Sequence, residues 1–371
     1  MRKRVVVTGV GAIHPDGNDV TAIKSKVIQK LLGQESKNNT TASSVIRTLS
    51  DFDGAKYINN RLRRKIDEFS VYGIVAVEMA LKASRLDVDK LDPNRVGIYV
   101  GNCFGGWQHI EDEVKALHIE GIKGMGPYVA TAWFPAALQG QLSLLYGFSA
   151  QSKTFSTSDV AGMQAIGYAA EAISNGVAEV MLCGASEHLS SPLVKNLLEK
   201  TSSQKHSEVF GEKQPGDFSE GAAFLVLEER QHALERGASI LCELTGFVDY
   251  FAPDKNTRNN TLEYTAELFN HNENAVFIMD GIYDDEKEIT SKAFSNKEIK
   301  TSFINLRPYL NNQFSVSGVI DSVLASSFLS ESHGDGEQQS NKINEFSNTN
   351  QIIIQRFSNQ GHVCALSFSA I

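Results

Sequence analysis

Short apolar runs rich in β-branched residues alternate with segments of helical periodicity, and this alternation limits the fold more than any other feature of the chain. The runs are typical of strands buried on both faces of a sheet. They occupy residues 4–8, 96–100, 180–183, 223–227, 275–279, 352–354 and 364–368. Between them, residues 70–84 and 160–174 place apolar side chains at helical spacing. The alternation predicts an α/β fold in which helices cover largely buried sheets.

The charge balance excludes two classes of partner. The 371 residues carry 44 acidic and 35 basic side chains, a formal charge of −9, so no overall basic field attracts nucleic acid or an anionic membrane. Four scattered cysteines form no C-x-x-C pair, and they favour a reducing cytoplasm over a disulfide framework. We therefore expect a cytoplasmic protein that binds neither nucleic acid nor membrane.

The N-terminal residues are expected to form a first strand and not a targeting segment, because their apolar stretch is too short for a signal peptide. Gly9 and Gly11 begin a dinucleotide-binding pattern in the turn expected after this strand, but the third glycine is missing and Pro15 interrupts the next helix. Cys183 and His188 have no second pair at metal-ligand spacing. No cofactor and no metal are expected. Two polar segments, residues 253–274 and 330–350, are predicted to be long surface loops.

The most informative segment reads FSTSDVAGMQAIGYAA at residues 155–170 and is followed by EVMLCGASE at residues 179–187. It resembles the nucleophile region of the β-ketoacyl synthases, condensing enzymes of the thiolase fold, in which a cysteine lies at a helix N-terminus. Further similarity lies in residues 5–17, 63–84, 101–106 and 221–229. The resemblance implies two similar α/β halves packed as a layered α-β-α-β-α body. It places the N-terminal half at residues 1–246 and a shortened, divergent C-terminal half at residues 247–371.

The resemblance also implies that the catalytic residues have been replaced. Asp159 stands at the cysteine, Asp280 and Asn312 stand at the two histidines, and Arg307 stands at the lysine. The glycine-rich gate of the family falls on residues 357–361. Claisen condensation needs a thiolate to carry the acyl chain and two imidazoles to support decarboxylation and the enolate. The chain is therefore expected to be inactive alone, whereas Asp159 by itself is typical of an N-cap of the helix that follows.

Relatives without the cysteine are known as chain length factors, the β subunits of type II polyketide ketosynthase heterodimers. Residues 132–134 (AWF) and 140–143 (GQLS) resemble patterns of that branch. The resemblance implies a tunnel for the polyketide. Its predicted lining residues are Phe104, Trp107, Ile110, Val114 and Phe134. Trp107, Ile110 and Val114 share one helical face, and the alternative interpretation of that face is ordinary core.

The resemblance implies three partners: an active ketosynthase, an acyl carrier protein and the growing poly-β-keto chain. Residues 180–183 and the segment before Asp159 would lie near the interface with the ketosynthase. A basic cluster stands where active ketosynthases meet their acidic carrier protein, and it consists of Arg61, Arg63, Arg64 and Lys65. The alternative interpretation of this cluster is a solvated helix start.

The hypothesis is a non-catalytic chain length factor that pairs with a ketosynthase in aromatic or polyene polyketide biosynthesis. One rival is an active condensing enzyme or hydrolase that uses Asp159 with His188 or His362. A second rival is a degenerate homodimeric acyl-binding protein.

Overall fold

The computed structural model describes residues 2–33, 45–50, 52–203, 218–269, 274–279, 286–295, 300–331, 346, 349–358 and 360–371. The strands are β1 Val5–Ile13, β2 Ile46–Arg47, β3 Val96–Gly101, β4 Ser152–Phe155, β5 Val180–Glu187, β6 Phe218–Ser219, β7 Gly221–Glu229, β8 Cys242–Phe251, β9 Asn274–Met279, β10 Lys300–Asn305, β11 Gln351–Phe357 and β12 His362–Ser369. The helices are α1 Val20–Leu31, α2 Asn60–Arg63, α3 Glu68–Ser84, α4 Trp107–Glu120, α5 Val129–Ala132, α6 Ala137–Tyr146, α7 Ala161–Ser174, α8 Pro192–Ser203, α9 Arg230–Glu235, α10 Lys255–Leu268, α11 Glu286–Ser295, α12 Arg307–Leu310 and α13 Ser315–Glu331.

Ten of the strands in the described residues form one sheet, in the order β10-β9-β11-β12-β8-β1-β7-β5-β3-β4. The sheet consists of two sets of five strands. We number the five strands of each set from 1 to 5 in chain order. From the outer edge of the sheet to its centre, both sets then read 3-2-4-5-1. The parallel and antiparallel pairings also match position by position. The shared topology confirms the two similar halves. The second set begins with β8, which contains residue 246. The division of the chain into its two halves at that residue stays a prediction.

The two faces of each half-sheet pack against different helices. In β12, Cys364, Leu366 and Phe368 join the central core with α7 and α13, whereas Val363 and Ala365 face clusters on the other side. Helix α3 covers the outer face of the first half, and α10 and α11 lie on the second. The central helices approach closely, since a Cβ on Gly162 would lie 2.2 Å from the Ser315 carbonyl oxygen. The predicted α-β-α-β-α layering is confirmed.

Strand β1 is longer than the sequence predicts. Gly9 and Gly11 lie inside it and not in a turn after it, and a Cβ on either would lie 2.2 Å from a backbone oxygen of α3. The two glycines therefore allow α3 to pack closely on β1. The prediction of a turn at these residues is wrong, and their role in packing accounts for the partial dinucleotide pattern.

The prediction of a loop over residues 253–274 is also wrong, because Lys255–Leu268 forms α10. Asp254 caps this helix by accepting hydrogen bonds from the backbone N–H groups of Asn256 and Thr257, and Leu262 of the helix is buried. Most of residues 330–350 lies outside the described residues. Phe346, however, is fully buried and stacks on Phe328 with 4.2 Å between ring centroids. Within the described ranges, no helix has the length and apolar character needed to cross a membrane.

Candidate functional site

The junction between β4 and α7 is a tight, strained turn. Residues Ser158–Val160 form a single 3-10 turn, and Ser158 has a φ of 59°, in the left-handed region that residues other than glycine rarely adopt. Strain of this kind persists where the surrounding structure fixes an unusual backbone, which is common at functional sites. The turn holds Asp159, which is only 4% exposed and stands at the position that the resemblance assigns to the nucleophile.

Asp159 is held by side chains and does not cap α7. The Ser158 hydroxyl donates to its carboxylate over 3.1 Å, and the nearby Asn312 amide lowers the pKa of Asp159. Val160 occupies the cap position of α7 and makes no side-chain cap. The interpretation of Asp159 as an N-cap is therefore wrong. Burial raises the pKa of Asp159, and the nearby positive charge of Arg356 opposes that rise.

The side-chain oxygen of Asn312 is fixed by two hydrogen bonds. Its Oδ1 accepts from the backbone N–H of Phe314 at 2.9 Å and from the Ser317 hydroxyl at 3.2 Å. These bonds identify Oδ1 of Asn312 as the acceptor and leave its amide nitrogen as the group that acts on the Asp159 carboxylate. The structure thus brings together two of the positions predicted from the resemblance.

Arg307 belongs to a buried charge cluster behind these residues. Arg307 and Arg356 both pair with Asp321, and the Arg356–Asp321 distance is 2.7 Å. All three side chains are at most 3% exposed. Two guanidinium groups on one carboxylate leave an excess positive charge, which explains the effect of Arg356 on Asp159. Asp280, the remaining predicted position, lies outside the described residues.

Two further residues of the site, Cys103 and Glu187, were missed in the sequence. The Glu187 carboxylate accepts from the backbone N–H groups of Cys103 at 2.6 Å and Phe104 at 3.3 Å, and from the Ser315 hydroxyl. Burial raises the pKa of Glu187 to about 7. The pKa of Cys103 is raised first by burial and then by the charges of Glu187 and Asp159. Of the four cysteines, the one beside Asp159 is therefore a neutral thiol at physiological pH and not a nucleophile.

The predicted tunnel residues divide into two groups. Phe104 packs edge-on against Phe314 with 5.0 Å between ring centroids, and Trp107 joins the same apolar cluster. Val114 and Phe134 are 40% and 53% exposed. Helix α4, which carries Trp107, Ile110 and Val114, buries none of its residues. Within this chain that helix face is not ordinary core, and its assignment to a tunnel stays a prediction.

The chain from α4 to α6 carries large apolar side chains that are exposed. Six of them define what we call the α4–α6 surface: Ile119, Ile122, Trp133, Phe134, Leu144 and Leu145. Ile119 and Ile122 are each 81% exposed and Leu144 is 78% exposed. Strand β4 lies at the adjacent end of the sheet and pairs with β3 alone among the described strands. Large apolar exposure beside an unpaired strand edge is typical of a surface that another protein covers.

The expectation that residues 180–183 lie near the interface with the ketosynthase stays a prediction. Strand β5, which contains residues 180–183, lies between β3 and β7 in the sheet and is buried over its whole length. It has no edge to offer a partner. The segment before Asp159 does include an edge strand, β4.

The basic cluster is only partly available for binding. Arg63 pairs with Glu68 at 2.6 Å, and the Lys65 ammonium lies 5.1 Å from the ring centre of Tyr128. Arg61 and Arg64 are exposed. Arg61 and Arg63 lie in the short helix α2, and Arg64 and Lys65 follow it. Arg61 and Arg64 are thus the members best placed to meet an acidic partner.

Neither histidine of the rival catalytic hypothesis pairs with Asp159. His188 lies 3.5 Å from Asp67 and 3.6 Å from Glu220, and His362 lies 3.9 Å from Asp249. Both imidazoles are therefore committed to other carboxylates, which leaves the rival without its proposed dyad.

Comparison with known proteins agrees with this geometry. A solved chain from AntDE:AntF, an apo type II polyketide synthase acyl-carrier protein in complex with its ketosynthase bound to the hexaketide, is 95% identical over the full length of both chains, with a TM-score of 0.92. The ishigamide ketosynthase/chain length factor has a TM-score of 0.80 at 17% identity, again with both chains fully covered, and shares the fold.

Curated sequences and a family model extend the comparison. The 3-oxoacyl-[acyl-carrier-protein] synthase 2 of Vibrio harveyi is 32% identical over 259 residues, which are 66% of this chain and 62% of that protein. The match therefore spans less than two thirds of the relative's own length. The model of the β-ketoacyl synthase N-terminal domain matches residues 2–233, more than half of the chain. Together with the strained turn, the buried Asp159 and the layered fold, these matches show that the chain belongs to the β-ketoacyl synthase family.

Proposed function

We propose that this chain is a non-catalytic chain length factor of type II polyketide biosynthesis. It pairs with an active ketosynthase and helps to form the tunnel into which the poly-β-keto chain grows. The observation that carries the proposal is Asp159, a buried carboxylate at the strained turn where the family places its nucleophile.

The chemistry of that position supports a non-catalytic role. A carboxylate that accepted the acyl chain would form an anhydride, which water hydrolyses, whereas a thiolate forms a stable thioester. Asn312 donates hydrogen bonds but cannot transfer protons as an imidazole does. Asp280 would add negative charge where the reaction itself generates it. The Cys103 thiol has a raised pKa, which disfavours the thiolate that would be needed to act instead.

The surface supports a heterodimer. Helix α6 of the α4–α6 surface packs against β3 and the edge strand β4, and an interface of standard size needs about 800 Å² from each partner. The AntDE:AntF structure, by its description, joins an acyl-carrier protein to its ketosynthase, and the ishigamide structure is described as a ketosynthase/chain length factor. By analogy, we assign an active ketosynthase to this surface and an acidic carrier protein to Arg61 and Arg64.

The proposal is tested by combining the chain with the ketosynthase from the same system. Each protein alone and the mixture are incubated with malonyl-loaded carrier protein, then examined by intact-protein mass spectrometry and product analysis. We expect the acyl adduct on the ketosynthase and polyketide only from the mixture. A stable acyl adduct on the isolated chain would favour the active condensing enzyme, and a homodimer that ignores the ketosynthase would favour the acyl-binding protein.

A further inference from the structure

Helix α4 carries three of the predicted tunnel residues but has little hydrophobic anchoring. None of its residues is buried, and its N-cap residue, Gly106, has no side chain to accept the orphan N–H groups of the first turn. Because buried apolar area is the main source of packing energy, such a helix depends on polar contacts for its position.

Three carboxylates supply those contacts. Asp67 accepts from the backbone N–H of His109 at 2.9 Å, in the first turn of α4. Glu111 of α4 accepts from the backbone N–H of Leu193 at the start of α8, and Glu113 of α4 accepts from the backbone N–H of Gly126. Of the three carboxylates, Asp67 lies outside α4 and acts on the turn that holds Trp107 and Ile110.

Asp67 is itself firmly placed. It is 3% exposed and caps its own helix, α3, because its Oδ1 accepts from the backbone N–H of Phe69 at 3.0 Å. Its other oxygen, Oδ2, makes the bond to His109. Helix α3 in turn packs against β1, β5 and β7 and buries most of its residues. One carboxylate thus caps two helices and transmits the position of the rigid α3 to the weakly buried α4.

We propose that Asp67 is a positioning residue that fixes the tunnel face of α4 and thereby the length of the polyketide. The inference rests on the proposed function. Asp67 does not contact the growing chain in this scheme; it determines where Trp107 and Ile110 stand.

The test separates the two caps that Asp67 makes. A serine at position 67 is a good N-cap for α3, but its hydroxyl supplies one short acceptor and does not replace Oδ2 at His109. In the reconstituted ketosynthase pair with carrier protein and malonyl donor, D67S should raise the ratio of off-length to main product about fivefold, the population change that loss of one cap produces. D19S is the matched control, since Asp19 caps α1 through Ala22 and makes no bond to α4. It should leave the ratio unchanged.

The isosteric variant D67N guards against misfolding, because it keeps the volume and the α3 cap and presents an amide to His109. The inference is overturned if D67S and D67N bind the ketosynthase and give the wild-type product ratio while V114F alters it. If V114F also gives the wild-type product ratio, the proposed tunnel is overturned. The inference about Asp67 is then overturned with it. A changed ratio in D19S equal to that in D67S would reduce the effect to general helix destabilisation and would also overturn the inference.

Discussion

The side-chain amide of Asn312 lies close enough to Asp159 to lower the pKa of its carboxyl, so the first half of the chain meets the second at the centre of the site. Asp159 precedes α7 and Asn312 precedes α13, the two helices packed between the half-sheets. The two side chains occupy positions where the resemblance implies a thiol and an imidazole. Each side chain is also held by its own neighbours, Asp159 by Ser158 and Asn312 by Phe314 and Ser317.

Replacing Asp159 alone should not create a condensing enzyme. We expect Asp159→Cys to give no detectable condensation without the ketosynthase, since catalytic groups act as a unit and position 312 still lacks an imidazole. Release of acyl products from malonyl carrier protein is the measurement, and Asp159→Asn is the control for loss of charge. Turnover by the cysteine variant alone would contradict a non-catalytic role.

A charge on the α4–α6 surface should weaken partner binding. We expect Leu144→Glu to raise the Kd for the ketosynthase at least about tenfold, because an unpaired carboxylate would be desolvated in the interface. Leu234→Glu is the control, since Leu234 is a 46% exposed leucine on α9, away from this surface. Binding is measured by biolayer interferometry. Equal affinities for the two variants would place the interface elsewhere.

Added bulk on the predicted tunnel face should shorten the product. Val114→Phe fills space one turn beyond Ile110, so we expect the main polyketide to lose at least one two-carbon unit. Lys115→Phe adds a ring to the same helix on a different face, at an exposed side chain outside the α4–α6 surface, and should leave the length unchanged. Mass spectrometry of products from the reconstituted pair provides the measurement. Wild-type length from a folded, partner-bound Val114→Phe would count against the tunnel.

Glu228 should make the fold acid-sensitive. Burial favours a higher pKa, but hydrogen bonds from Arg236, His232 and Thr8 outweigh it and lower the pKa of Glu228 to about 2. Because the pKa of Glu228 is lower in the folded protein, its ionisation stabilises the fold at every pH above the ordinary pKa of 4.5. This contribution to the free energy of unfolding, about 3 kcal/mol, is lost as the pH falls towards 2. Glu228→Gln should lower the free energy of unfolding at pH 7 and flatten its decline below about pH 4.5. Urea titrations from about pH 7 down to pH 3 test this, and parallel curves for both proteins would refute it.

The sequence predicts the architecture better than the site. Buried strands carry continuous apolar runs, so the strands around Val96, Val180 and Ala275 are correctly placed. The helix at residues 255–268 was missed because its many Asn and Thr residues have weak helix propensity, which the Asp254 cap and the burial of Leu262 override. Cys103 and Glu187 come from distant segments, and a contact between them has no local pattern. The one available signal was an acidic residue at the end of a fully buried strand.

The direct pairing of β1 with β8, Val5 opposite Leu244 and Val7 opposite Cys242, has a mechanical consequence. The two repeats share a continuous ladder of backbone hydrogen bonds, so no flexible hinge separates them in the manner of two tethered domains. Under the proposed function, the tunnel wall would be rigid, and side chains along it would set the product length, not how far two lobes open.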